Sequence, residues 1–242
     1  LYYPMIHLWT PLINRYLPHT PKVITLHDPV LHPGERNPLQ KSIQNVSIGQ
    51  AARLIILSRV FEDCLVSKGI DRSKIDIIPL GIFSYYKKRK KSYKNFVSGK
   101  NILFFGRIAP YKDLEVLLRS FSIIKKRMPD AKLIIAGSGN LKKYERFLRD
   151  FSGGIQIVNR WIPEEDVAYF FEQARLVVLP YAEASQSGIG PIAYAFGLPV
   201  VATDTGGLRE QVIHGQTGFL VPPGEPKIMA EACIRLLQEE ET

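Results

Sequence analysis

Asn101-Ile102-Leu103-Phe104-Phe105-Gly106-Arg107-Ile108-Ala109-Pro110-Tyr111-Lys112-Asp113-Leu114 is the stretch that decides the fold. An apolar run at 102–105 ends on Gly106, as a buried strand does when it turns sharply. From Asp113 the apolar residues Leu114, Leu117, Leu118, Phe121 and Ile124 recur at helical spacing and fall on one face. A strand, a glycine turn and an amphipathic helix form the opening half of a βαβ unit.

The same rhythm runs outward in both directions. Further strand candidates lie at 23–26, 54–57, 75–78, 133–136, 155–158, 176–179 and 200–203, short and rich in β-branched residues. Pro163-Glu164-Glu165-Asp166 has the proline-then-acids signature of a helix start, and 167–174 continues it. Thr217-Gly218-Phe219-Leu220-Val221-Pro222 reads as a turn and a short strand. This alternation predicts an α/β protein with parallel sheets covered by helices. The rhythm breaks over 84–100, which gives a three-part reading. A small N-terminal piece covers 1–84, with only three clear strands, so it reads as part of a larger domain. A basic linker covers 85–100 and a C-terminal domain 101–242.

The chain has 242 residues, 45% of them hydrophobic and 23% charged, the balance of an ordinary globular protein. No run approaches the roughly 20 apolar residues of a membrane span. The start, Leu1-Tyr2-Tyr3-Pro4-Met5, has neither an initiator Met nor a signal-peptide layout, so the front is expected to be trimmed. Cys64 and Cys233 share no motif spacing and read as free core thiols in a reducing compartment. The net charge of +9 favours acidic partners, and Lys87-Lys88-Arg89-Lys90-Lys91 holds much of it. That run reads as a solvated linker or as a contact with an anionic membrane face. No nucleic-acid-binding motif accompanies it.

Three loops at strand ends carry chemistry, since parallel sheets bind ligands at the carboxyl ends of their strands. In the first, Arg107 and Lys112 bracket the turn after Gly106 and suit a diphosphate. Cations at a helix start oppose its dipole unless an anion is bound. The second, Gly137-Ser138-Gly139, reads either as a phosphate cradle or as a tight strand-to-helix turn. The third runs from Pro180 to Pro191. Its small residues are expected to leave the amides of Ser187, Gly188 and Ile189 free for an anion at a helix start. Glu183 beside them suits sugar hydroxyls. Thr203-Asp204-Thr205-Gly206-Gly207-Leu208-Arg209-Glu210 is a further strand-end turn that could line the cleft.

Taken in order, these motifs closely resemble the C-terminal donor domain of retaining GT-B glycosyltransferases of glycosyltransferase family 4. They are G-R-x-x-x-x-K-D from Gly106, L-I-I-A-G-S-G from Leu133, the Glu183 loop, A-F-G-L-P-V-V-A-T-D-T-G-G-L-R-E from Ala195 and H-G-x-T-G-F-L-V-P-P from His214. Upstream, V-I-T-L-H-D-P from Val23 and I-D-I-I-P-L-G from Ile75 resemble later strands of the acceptor domain. The resemblance implies two Rossmann-like doubly wound domains, the first incomplete. It implies transfer of a hexose from a nucleotide-diphosphate sugar to a glycan or lipid-linked acceptor, with retention. The sugar nucleotide would be a co-substrate, with no metal and no resident cofactor, and the work would lie in the cytoplasm or at the inner membrane face.

By the same resemblance Arg107 and Lys112 grip the diphosphate, and Gly106, Gly137 and Ser138 line the site. Ser187, Gly188 and Ile189 face the phosphate or sugar, and Glu183 the sugar hydroxyls. Arg160, Trp161 and Ile162 hold the nucleobase, and His27 reaches the sugar from the acceptor domain. His32 and Glu35 are weaker candidates for acceptor contacts. The family places two glutamates seven residues apart in the third loop; here those places hold Ala184, beside Glu183, and Ile192. The loss of the second, ribose-holding carboxylate opens an alternative: a nucleotide-sugar-binding fragment or pseudoenzyme. A GT-B epimerase fits less well, since its carboxylates are not found.

Overall fold

The computed structural model describes residues 1–30, 38–88, 99–150 and 153–238. They form two compact units: residues 1–80 with 184–186, and residues 81–183 with 187–242.

The first unit is a parallel sheet of four strands, β1 (Tyr2–Tyr3), β2 (Val23–Leu26), β3 (Arg53–Ile56) and β4 (Ile75–Ile77), in that spatial order. Three helices connect them: α1 (Thr10–Tyr16), α2 (Pro38–Gly49) and α3 (Glu62–Val66). Ile24, Leu26, Leu54, Ile56, Leu65 and Ile75 make its core. The sequence predicts only three of these strands, because two residues ahead of Pro4 are too short to show a pattern. Helix α1 is equally opaque to pattern reading. It buries Thr10 and Asn14 and exposes Leu12 and Ile13. Hydrogen bonds fix it: Tyr3 Oη donates to Asn14 Oδ1 (2.9 Å) and Asn14 Nδ2 to Gln50 Oε1 (2.9 Å).

The second unit opens with α4 (Tyr85–Lys88), where the sequence reading placed linker. Tyr85 Oη donates to Glu164 Oε2 at 3.2 Å, which ties the start of that basic stretch to the unit. Then come β5 (Asn101–Phe105), α5 (Leu114–Arg127), β6 (Lys132–Ala136), α6 (Glu145–Asp150), β7 (Ile155–Val158) and α7 (Glu164–Gln173). The chain returns through β8 (Leu176–Leu179), α8 (Ile189–Ala195), β9 (Val200–Thr203), α9 (Leu208–Gln211), β10 (Gly218–Val221) and α10 (Pro226–Gln238). The sheet order is β10-β9-β8-β5-β6-β7, all parallel. The chain therefore walks outward from β5, comes back to β8 beside it, and walks the other way. This is the Rossmann-like doubly wound pattern, with its switch point between β5 and β8.

β5, β8 and β9 are buried throughout, as expected for strands covered on both faces. Helices α5 and α10 pack on one face through Leu117, Phe121, Ile124, Met229 and Cys233. A ring ladder covers the other, with Phe105 5.1 Å from Phe171 and Phe171 stacked on Phe196 at 5.5 Å. Asp113 starts α5 as its N-cap, accepting Val116 N–H at 3.4 Å, and holds a left-handed φ of 43°. Desolvation raises its pKa.

Both cysteines are free. Burial pushes the Cys233 thiol up to about 12, so it stays protonated and inert. Cys64 is only partly buried. A thiol reagent should therefore modify Cys64 in the folded chain and reach Cys233 only on unfolding, readable as one against two labels by mass spectrometry.

Candidate functional site

All parallel strands of the second unit end on one edge, and the loops there bring the predicted residues together. Gly106 follows β5 with φ +103°. A Cβ there would lie 3.1 Å from Lys112 Nζ and 3.7 Å from Ile189 Cδ1. The ammonium of Lys112 thus sits in a slot above the switch point, between the end of β5 and the start of α8. Lys112 is only 8% exposed. Its Nζ lies 4.9 Å from the centroid of the Tyr181 ring. Among the described residues no carboxylate pairs with it. Arg107 is exposed on the same loop, its Nη2 3.4 Å from Tyr111 Oη.

Tyr111 and Tyr181, which sequence reasoning missed, lock the first and third loops together. Tyr111 C=O accepts the Ala182 N–H (2.8 Å), and its ring meets Tyr181 edge-on at 6.1 Å. Thr203 Oγ1 donates to Tyr181 C=O (2.5 Å) and Thr205 Oγ1 to Ala182 C=O (3.4 Å). The turn after β9 therefore latches the loop that presents the exposed Glu183.

The expectation of three free amides needs correction. Ser187 N–H donates to Gln211 Oε1 (3.0 Å), and Ile189 N–H donates to Ser187 Oγ (3.2 Å). Only the Gly188 N–H has no partner among the described residues. Small residues do not leave amides free by themselves; here a side chain from α9 and the loop's own hydroxyl take them. Helix α8 also has no acid in its first turn, and Ile192 there is buried.

The Gly137 loop packs tightly against the Gly106 loop. Gly137 has φ +145°, and a Cβ there would lie 2.0 Å from Gly106 O. Its N–H goes to Val158 C=O (3.0 Å), while Ile108 N–H donates to Ser138 C=O (2.8 Å). Of the two readings open for this loop, the geometry matches the tight turn: its glycine lets the ends of β5 and β6 stay paired beyond the sheet.

Arg160, Trp161 and Ile162 follow β7 on the same edge. Arg160 donates through Nη2 to Asp166 Oδ2 and through Nη1 to Trp161 C=O, each at 3.1 Å. Arg160 and Asp166, with Val158, Tyr169 and Phe170, border a cleft of about 210 Å³. Trp161 is 79% exposed and Ile162 is buried. His27 belongs to the other unit, at the carboxyl end of β2, where its Nε2 meets Pro4 C=O at 2.9 Å. A carbonyl only accepts, so Nε2 carries a proton. His32, Glu35 and residues 89–91 of the basic run lie outside the described residues. The described residues contain no group of three His, Cys, Asp or Glu placed to hold a metal ion, and no helix long and apolar enough to cross a membrane.

A buried lysine, an exposed arginine and the Gly188 N–H, which has no partner among the described residues, lie at the switch point of a Rossmann-like sheet, a grouping whose chemistry suits an anion. The protein class is thus a Rossmann-like α/β protein with cationic loops at the carboxyl ends of its parallel strands. Residues 99–239 match the model of the family described as "Glycosyl transferases group 1", and the chain belongs to that family. It is 30% identical over 229 residues to a D-inositol 3-phosphate glycosyltransferase of Paenarthrobacter aurescens (strain TC1), covering 88% of this chain and 56% of that one. It is 26% identical over 196 residues to the amylovoran biosynthesis glycosyltransferase AmsK of Erwinia amylovora, covering 77% and 48%. The chain spans about half the length of the curated relatives it matches. In three dimensions it is similar to Anabaena Alr3699/HepE, solved in complex with UDP-glucose: TM-score 0.79, 20% identity, 96% of this chain and 66% of that one. A sucrose-phosphate synthase from Thermosynechococcus elongatus gives TM-score 0.76 and 20% identity, covering 98% and 63%. The fold is that of the GT-B glycosyltransferases, of which this chain covers a part.

Proposed function

We propose that this chain binds a nucleotide-diphosphate sugar and transfers its hexose, with retention, to a glycan or lipid-linked acceptor. One observation carries the reading: Lys112 is buried at the switch point with no acid partner among the described residues. A buried ammonium is costly unless an anion joins it. A donor diphosphate supplies that anion, and Arg107 and the Gly188 amide lie on the same edge to share it. As the sugar leaves, charge grows on the diphosphate, and the two cations stabilise it. Glu183 holds sugar hydroxyls and the Arg160–Ile162 turn takes the base, while His27, in the other unit, is assigned to the sugar by the family resemblance alone. The glycosyltransferase names of the relatives and the UDP-glucose of HepE support the donor class. Membership of glycosyltransferase family 4 and work without metal or cofactor belong to the same reading. The two free cysteines fit a cytoplasmic setting, and the basic run from Lys87 fits contact with an anionic inner membrane face.

A second reading rests on Ile192. A buried isoleucine in the first turn of α8 offers no acceptor to ribose hydroxyls, which favours donor binding without turnover.

The deciding measurement is a thermal-shift panel with UDP-glucose, GDP-mannose and ADP-glucose. At a hundred times Kd, a true ligand stabilises by about 2.7 kcal/mol, a rise of roughly 5–10 °C for a chain of this size. Arg107→Ala should cut that shift by more than half with the unliganded midpoint unchanged. No shift with any donor would overturn the binding claim. Labelled sugar in an acceptor, with its anomeric configuration read by NMR, separates transfer from binding alone.

A further inference from the structure

We propose that Gln211 is a positioning residue for the donor: its side-chain amide sets the turn 187–189 so that the Gly188 N–H faces the anion. The inference rests on the donor-binding reading above. Gln211 ends α9 and bonds Ser187 twice: Oε1 accepts the Ser187 N–H and Nε2 donates to the Ser187 C=O, each at 3.0 Å. A primary amide used this way does what a neighbouring strand would do, fixing the peptide on both sides of one residue. The residue so held is the pivot of the turn. Ser187 Oγ accepts the Ile189 N–H at 3.2 Å and meets Tyr181 Oη at 3.3 Å. Tyr181 in turn carries the Lys112 ammonium over its ring.

The backbone of Gln211 is itself anchored, since Tyr194 Oη donates to its C=O at 2.9 Å and lies 3.3 Å from Thr217 Oγ1. Brace, turn, ring and cation thus form one connected set, and the brace comes from the turn after β9. In a loop of serines and glycines, little else holds the peptide plane of Gly188. Without the brace the turn keeps its composition but loses the single orientation an anion needs, and affinity falls with preorganisation.

The test uses the full chain with three variants, titrated calorimetrically with whichever sugar nucleotide in the panel binds. Gln211→Ala should weaken donor binding about tenfold, the effect expected for a lost intramolecular hydrogen bond. Gln211→Glu keeps the acceptor for Ser187 N–H but, when ionised, has no donor for Ser187 C=O. Its affinity relative to wild type should therefore recover as pH falls from about 8 towards about 4.5, where carboxylates gain a proton. Gln211→Met, which fills the space without hydrogen bonds, should stay weak at every pH. Equal donor affinity in wild type and Gln211→Ala overturns the proposal, and so does a pH-independent defect in Gln211→Glu, which would mark a packing role. If wild type binds none of the donors, the donor reading fails, and amide hydrogen exchange in the unliganded chain still decides the brace. Faster exchange at Ser187 and Ile189 in Gln211→Ala supports it; unchanged exchange overturns it.

Discussion

Replacing Lys112 by methionine is expected to abolish the donor-induced thermal shift while leaving the unliganded chain as stable as wild type, or more so. The two signs have one cause. In the unliganded chain Lys112 is 8% exposed with no acid partner among the described residues, so folding bears the cost of burying its charge. The Tyr181 ring at 4.9 Å returns part of that, about 2 kcal/mol. Methionine keeps the stem volume and drops the charge, which removes the cost. With donor present the balance reverses, because a cation aimed at phosphate in a water-poor slot strengthens binding by about 2–4 kcal/mol, roughly thirty- to a thousandfold. Lys112→Arg should not rescue. The wider guanidinium does not fit where a methyl on Gly106 would already lie 3.1 Å from Nζ. A Lys112→Met chain that melts well below wild type, yet still responds to donor, would sink this account and make Lys112 a structural cation.

The second large effect is on stability. Gly137→Ala places a Cβ 2.0 Å from Gly106 O, a backbone atom that cannot swing aside, at a φ of +145°. We expect a loss of roughly 3 kcal/mol or more, from overpacking and backbone strain together. Gly224 is the control: its φ is +75°, but nothing lies within 4 Å of its would-be Cβ. Gly224→Ala should cost about 1 kcal/mol, from backbone strain alone. Denaturant titration measures both. If the two substitutions cost the same, the close approach of the Gly137 loop to the Gly106 loop is not what its glycine serves.

That glycine shows how far the sequence could be read. Gly137-Ser138-Gly139 carries the same letters whether it cradles phosphate or lets two strand ends pair, and only the fold reveals that a Cβ on Gly137 would lie 2.0 Å from Gly106 O. The amides of the third loop follow the same logic in reverse. Small residues at 187 and 188 are expected to leave amides accessible, but whether an N–H is free depends on a residue more than twenty positions away. Gln211 carries no motif, and no local signal marks it. Tyr111 and Tyr181 were hidden likewise, since an aromatic beside a glycine turn looks the same whether it packs, stacks or bridges loops.

Where patterns are local, the reading was sound. The apolar stripe of α5 is buried as its spacing predicts, because helical periodicity fixes a face without reference to the rest of the chain. β2 and the strands β5, β7, β8 and β9 sit where short apolar runs end on glycine, proline or polar residues. Failures came where burial inverted the pattern, as in α1 with Thr10 and Asn14 inside, or where an element was too short to carry one, as in β1.

By itself, then, the sequence determined the α/β class, the parallel sheets and the loops that bear Arg107, Lys112, Glu183 and Gly188, because hydrophobic period and strand-end glycines are properties of neighbouring residues. Only the tertiary structure decided that β5 and β8 lie side by side, that Lys112 is buried between their loops without an acid among the described residues, and that Gln211 takes the Ser187 amide. Those facts depend on strand order and on contacts between distant segments, which no local pattern encodes.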